Sequence, residues 1–190
     1  MVKVSLKDGA VREYEAGTTV ADIAKSLGAG LYKAACAGKL NGKAVDLRTP
    51  VTADCNLEIL TFDDAEGKKV YWHTTSHIMA QAVKHLFPEA GFAIGPAIEN
   101  GFYYDFDLPR TLTPDDMAAV EAEMKKIIRE DIPLERFELD PEDAVALMEK
   151  EHQKYKVELI REHAGKGEKI SFYRQGDYVD LCAGPHLLST

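Results

Sequence analysis

Between Val70 and Phe87 apolar side chains return every three to four positions, which is the period of one helix face. Tyr71, Thr75, Ile78, Met79, Ala82, Val83 and Leu86 make the stripe, and Pro88 ends the run. His73, His77, Ala80 and Lys84 fall opposite, so the two imidazoles are expected off the core, stacked one turn apart. Ahead of this helix the pattern is shorter. Residues 2–6 and 10–15 alternate as strands about an Asp8-Gly9 turn. Thr18 or Thr19 caps a helix carrying Val20, Ile23, Ala24 and Leu27, which Gly28 stops. Residues 34–40 and 43–47 form a hairpin around Asn41-Gly42, and residues 56–60 close the unit as a last strand. Strands with one helix across them in about sixty residues outline a β-grasp.

After Pro88 the pattern predicts strands over 91–98 and 101–106, turned by Glu99-Asn100-Gly101. Thr113-Pro114-Asp115-Asp116 starts a helix whose apolar face is Met117, Val120, Met124, Ile127 and Ile128. A strand over 133–139 leads into a helix from Asp140-Pro141 to about His152. Residues 153–163 fit either state, because Tyr155, Val157 and Leu159 alternate among helix formers. Ile170–Arg174 and Tyr178–Cys182 read as two strands around Gln175-Gly176-Asp177. The fold class expected is α+β: a small β-grasp domain over 1–62, then an α+β domain over 63–190 with a mixed or antiparallel sheet and packed helices. The polar stretch 61–69 separates them, and the stop shortly after His186 suggests a longer parent.

Composition changes this picture little, since 45% hydrophobic and 29% charged residues are globular values. The start has no signal-peptide core and no run is long enough to span a membrane, so a cytoplasmic protein with no membrane partner is expected. Three cysteines without close spacing indicate neither a disulfide framework nor a metal knuckle. Charge is more informative. The net −9 lies in one place, with 15 acidic against 6 basic residues over 105–151, which leaves the histidine-bearing stretches near neutral and able to approach a phosphate chain.

His73 and His77 are matched by Cys182 and His186, a second pair at the same spacing. Such residues serve three chemistries. A zinc protease needs H-E-x-x-H, and Thr74 stands where its glutamate should be. A cysteine nucleophile needs a base, which any of the three histidines supplies. An ester hydrolase needs a base, an oxyanion donor and groups that grip the substrate.

The first sixty residues resemble the TGS domain, a ubiquitin-like module. His73-Thr74-Thr75-Ser76-His77, Ala93-Ile94-Gly95-Pro96, Asn100-Gly101-Phe102-Tyr103-Tyr104-Asp105, Tyr155-Lys156-Val157 and Tyr178-Val179-Asp180-Leu181-Cys182-Ala183-Gly184-Pro185-His186 resemble the editing domain of bacterial threonyl-tRNA synthetases. The resemblance implies hydrolysis of serine wrongly esterified to threonine tRNA, with the 3′-terminal seryl-adenosine as ligand and no DNA partner. It places the attacking water near His73 and Lys156, gives Asp180 the serine amino or hydroxyl group, and has His77, Cys182 and His186 orient the ester and adenosine. Gly95, Pro96 and Ala97 beside Tyr104 form the wall against the extra methyl of threonine. His85, His152 and His163 match no motif and are expected on the surface. The editing reaction is implied to need no metal; zinc on His73, His77, Cys182 and His186, as in the alanyl relatives, is the disfavoured reading. A full-length parent would be a homodimer using ATP and zinc in a region this chain lacks, so no ligase activity is expected here. The competing expectations are a non-catalytic tRNA-binding or regulatory protein and a freestanding zinc-containing deacylase.

Overall fold

Val2 and Val4 alternate inward on the opening strand, and the sheet grows around them. In the computed structural model, which describes residues 1–190, the chain divides into two compact units. The first comprises 1–72 with 184–188, and the second 73–183 with 189–190.

The first unit runs β1 (Val2–Leu6), β2 (Val11–Tyr14), β3 (Thr18–Thr19), α1 (Val20–Leu27), α2 (Ala29–Ala34), β4 (Ala35–Leu40), β5 (Lys43–Val45), β6 (Pro50–Val51) and β7 (Cys55–Thr61). Its main sheet has the order β2-β1-β7-β4-β5, with β1 parallel to β7 and the other neighbours antiparallel. This is the mixed sheet of a β-grasp, as expected. Thr19 caps α1 by accepting the Asp22 N–H, and Val20, Ile23 and Ala24 are buried. A side chain at Gly38 would put Cβ 2.7 Å from Val20 Cγ1, so the helix packs where the strand has none. Asn41 and Gly42 both have positive φ, the two-residue turn that matches strand twist. α2 was not foreseen. It restarts at once after Gly28, whose extended backbone ends α1, and residues 29–34 supply helix formers on an exposed surface.

Segment 184–188 belongs to this unit. Leu187 and Leu188 pack into its apolar clusters, and Arg48 Nη2 donates to the carbonyls of both, at 2.9 and 2.7 Å. Arg48 Nη1 lies 2.5 Å from Asp46 Oδ1, which fixes the guanidinium.

α3 (Ala65–Leu86) starts five residues earlier than the apolar stripe implies. Asp64 Oδ2 accepts the Thr61 N–H at 2.8 Å, and Gly67 allows the Thr61 carbonyl within 2.0 Å of where a Cβ would stand. The further elements are β8 (Gly91–Phe92), β9 (Ala97–Ile98), β10 (Gly101–Phe102), β11 (Phe106–Asp107), α4 (Pro114–Glu130), β12 (Leu134–Leu139), α5 (Pro141–Lys150), α6 (Lys154–Gly165), β13 (Ile170–Gln175) and β14 (Tyr178–Leu181). β12, β13 and β14 form an antiparallel sheet. The two strands expected over 91–106 are instead four short ones, β8 pairing β11 and β9 pairing β10, because 93–96 leave the ladder. α4 starts at the expected cap, and Thr113 and Asp116 complete it as a reciprocal capping box. Its apolar face is narrower than expected: Val120 and Ile127 are buried, whereas Met117 and Ile128 are 57% and 46% exposed. Residues 154–163 lie in helix α6, which Gln153 precedes, with Lys156, Val157 and Ile160 turned inward. No helix is long and apolar enough to cross a membrane.

Candidate functional site

The histidine face of α3 is not a solvated one. Thr74, Ser76, His77, Ala80 and Gln81 are all buried, and His77 is 3% exposed, while Tyr71 and Leu86 on the apolar stripe are exposed. Periodicity locates one apolar face, but small residues at 76 and 80 let a second layer approach the other. For His77 this corrects the expectation that the imidazoles lie off the core, while His73 is half-buried.

In the second unit, that layer is β14, α6 and the stretch around Tyr104. Asp180 stands inward on β14 and is 2% exposed. Its Oδ1 lies 2.6 Å from Lys156 Nζ, and its Oδ2 accepts from the Tyr104 hydroxyl at 2.6 Å and the Tyr178 hydroxyl at 3.1 Å. Lys156 Nζ also donates to the Tyr104 oxygen at 3.2 Å, and His77 Nε2 is 3.7 Å from Asp180 Oδ2. Burial alone would raise the Asp180 carboxyl, but the adjacent Lys156 ammonium and the hydrogen bonds hold it below its ordinary value. Burial, then the Asp180 charge, pushes both phenols well above 10, so they remain donors. Burial drives the His77 imidazole down to about 3, against the pull of Asp180, so it is neutral. A void of about 10 Å³, about enough for one water, touches Lys156, Asp180 and Tyr178.

His73, one turn before His77, meets it edge to face with ring centres 5.1 Å apart. Cys182 Sγ is 3.3 Å from His73 Nε2. One ligand-type atom from each of His73, His77 and Cys182 falls within 4.8 Å of the others. Two imidazoles and a thiol form a donor set that zinc accepts. His186 belongs to the segment held by Arg48. It is fully buried, and its N–H is 3.4 Å from Asp46 Oδ2.

Gly95 is pressed against Tyr104: a Cβ there would stand 2.1 Å from Cδ2 of the ring. Ser76 Oγ donates to the Gly95 carbonyl at 2.8 Å, the Asp105 N–H to that of Ile94 at 2.9 Å, and the Tyr103 N–H to that of Pro96 at 3.4 Å. Gly95, Pro96 and Ala97 thus stay half-buried on a pinned segment.

Several participants were missed from sequence. Tyr178 stood in a motif but was given no role. Ser76 reads as a filler in a helix, and Gln153 anchors α6 by donating to the Ala90 carbonyl and accepting the Phe92 N–H. Of the histidines expected on the surface, His85 and His152 are exposed, His85 with Glu123 and Asp177 as partners, and His163 pairs with Glu168 and is half-exposed.

Residues 2–61 match the model of the TGS domain. The whole chain is 57% identical to the threonine–tRNA ligase of Acetivibrio thermocellus, covering 30% of that protein. It is 58% identical over 98% of its length to that of Caldanaerobacter subterraneus subsp. tengcongensis, covering 29%, and 55% identical over its whole length to that of Clostridium tetani, covering 30%. The chain belongs with the threonine–tRNA ligases. It spans about 30% of the length of these curated relatives. Its TGS domain is the first unit's mixed sheet, and the buried lysine, carboxylate and imidazole groups lie in the portion of the ligase sequence that follows the TGS domain.

Proposed function

We propose that the residues following the TGS domain of this ligase segment hydrolyse the ester linking serine to threonine tRNA. The observation that carries the reading is the buried Lys156–Asp180 pair, closed by two phenols, beside the edge-to-face His77 and His73 imidazoles, of which His77 is neutral. An ion pair removed from water is seldom the most stable filling for a core, so its presence points to chemistry. The substrate is inferred from the relatives' name, since serine differs from threonine by one methyl, worth only about 1–3 kcal/mol to a ligase pocket.

Water adds to the ester carbonyl as His73 takes its proton. The negative charge gathering on the carbonyl oxygen is met by the Lys156 ammonium, which Asp180 orients. The carbon–oxygen bond to the ribose then breaks, the hydroxyl leaves with the proton His73 carried, and serine departs as a carboxylate. His77 and Cys182 hold His73 in place. Gly95, Pro96 and Ala97 with Tyr104 reject the methyl of threonine. Bound to His73, His77 and Cys182, zinc would supply a more acidic water; the steps above do not use it.

The test is release of serine from seryl-tRNA and of threonine from threonyl-tRNA, both on threonine tRNA. Fast serine release that His73→Ala and Lys156→Met abolish is expected. Equal rates on both esters end the specificity claim, and tRNA binding without serine release moves the reading to a non-catalytic binding module.

A further inference from the structure

We infer that Gln175 and Gln81 are positioning residues for His77, an inference that rests on the hydrolase reading above. Gln175 ends β13 and is 1% exposed, as is Gln81 on α3. Gln175 Nε2 donates one hydrogen to the His77 carbonyl at 3.1 Å and the other to Gln81 Oε1 at 2.9 Å. Gln81 Nε2 in turn donates to Asp177 Oδ1 at 3.0 Å. Asp177 also takes His85 Nε2 at 3.1 Å, while His85 Nδ1 lies 2.8 Å from Glu123 Oε1. A connected chain of hydrogen bonds therefore joins Glu123 and His85, through a carboxylate and two amides, to the backbone of the helical turn that carries His77.

The orientation of Gln175 is fixed by its partners. Both N–H groups meet acceptors, and turning the amide over would set its oxygen against the His77 carbonyl. In this orientation Oε1 has no partner, and it is the one buried side-chain oxygen or nitrogen in the chain left so. A core amide that leaves an acceptor unmet is not there to satisfy itself; its two donors are what the fold uses. The β13–β14 turn delivers them. Gly176 has φ +61 and Asp177 follows it in a two-residue hairpin, so Gln175 and Asp177 meet Gln81 from the same turn. The helix backbone is thereby held from outside its own ladder, one turn beyond His73 and at the level of His77.

A misplacement of about 1 Å at a reacting group, caused from a distance, costs up to about 100-fold in rate. Gln175→Met keeps bulk and loses both donors. It is expected to lower kcat for seryl-ester hydrolysis about tenfold with KM unchanged, at a temperature where circular dichroism reports full folding. Gln81→Met, which cuts the chain one link further out, is expected to lower kcat less, and the double variant to match Gln175→Met alone. The His77 imidazole resonances at one fixed pH, in the full chain, give a readout independent of turnover, and both variants should move them. A kcat within twofold of wild type together with unmoved His77 resonances overturns the proposal, as does additive loss in the double variant. Should Gln175→Met fail to fold, Gln81→Met decides on the same two readouts. If the wild-type chain releases no serine, the hydrolase reading fails and the resonances alone judge whether the amides position His77.

Discussion

Gly95→Ala is the most telling single change, because its one added carbon points at the ring that seals the buried pair. The new Cβ would stand 2.1, 2.5 and 2.8 Å from three carbons of Tyr104, against an ordinary contact of 3.4 Å. One side must retreat by about 1.3 Å. Gly95 cannot, since the carbonyls of Ile94, Gly95 and Pro96 are each bonded. The ring is stacked on Phe106 at 4.9 Å and meets Phe92 edge-on at 6.0 Å. Its displacement therefore strains an aromatic cluster and also withdraws the hydroxyl from Asp180. Overpacking costs about 1–3 kcal/mol, and a lost hydrogen bond to a charged group about 1.5–3 kcal/mol. The sum is roughly 2.5–6 kcal/mol, read as a shift of the urea midpoint at constant slope. Tyr104→Ala opens the space, so the double variant should cost much less than the two singles added. A loss below about 1 kcal/mol for Gly95→Ala, or strict additivity, refutes the close approach.

Three further outcomes follow from the same groups. Lys156→Met leaves Asp180 buried without its ammonium, which costs about 3–5 kcal/mol near neutral pH. Burial then raises the Asp180 carboxyl, so folding takes up a proton and the variant should lose stability as pH rises above about 4; an equal deficit at acid and neutral pH refutes this. His77, held down to about 3 when folded, refuses a proton that the unfolded chain accepts from 6.5 downward, so wild-type stability should fall by about 2 kcal/mol between pH 6.5 and 5. His77→Asn should flatten that slope in urea titrations; Asp180, whose folded value is depressed, loses its contribution only at lower pH. Dialysis against a chelator should leave serine release unchanged, and a loss that zinc restores would assign the reaction to metal held by His73, His77 and Cys182.

Local signals were legible where local chemistry decides the backbone. Asn41-Gly42 and Thr113-Pro114-Asp115-Asp116 specify a turn and a helix start by themselves, and the structure has both. Residues 153–163 were not legible, because a helix that buries a lysine defeats a pattern built on apolar spacing. Lys156 looks like a surface residue until Asp180 and Tyr104 are beside it. Those partners lie 24 and 52 positions away, on β14 and in the bend after β10. His77 was misplaced for a related reason. Hydrophobic period reports one buried face, whereas α3 between Thr74 and Val83 is covered on two. The cue in the sequence was size rather than polarity: Thr74, Ser76, Ala80 and Ala82 are narrow enough for other elements to close in.

On the proposed reading, rejecting threonine and cleaving the serine ester depend on the same bonds. One methyl is a weak handle unless the wall it strikes cannot yield, and a pocket that relaxes by half an ångström admits it. Here the wall is Gly95 against Tyr104, and it is held by Ser76 from α3, by Phe106 behind the ring, and by Asp180 at the hydroxyl. Asp180 is also what fixes Lys156. Tyr104→Phe removes the hydroxyl that Asp180 accepts from and that Lys156 donates to, with little change of volume, so its cost to folding is about 1.5–3 kcal/mol, without the overpacking of Gly95→Ala. It frees the ring at the hydroxyl end and leaves Asp180 Oδ2 with only Tyr178 as a phenolic donor. The expected result is a slower serine release and a faster threonine release from the same variant. A variant that loses rate on both esters in equal proportion would show that wall and ion pair act separately, and that the methyl is excluded elsewhere.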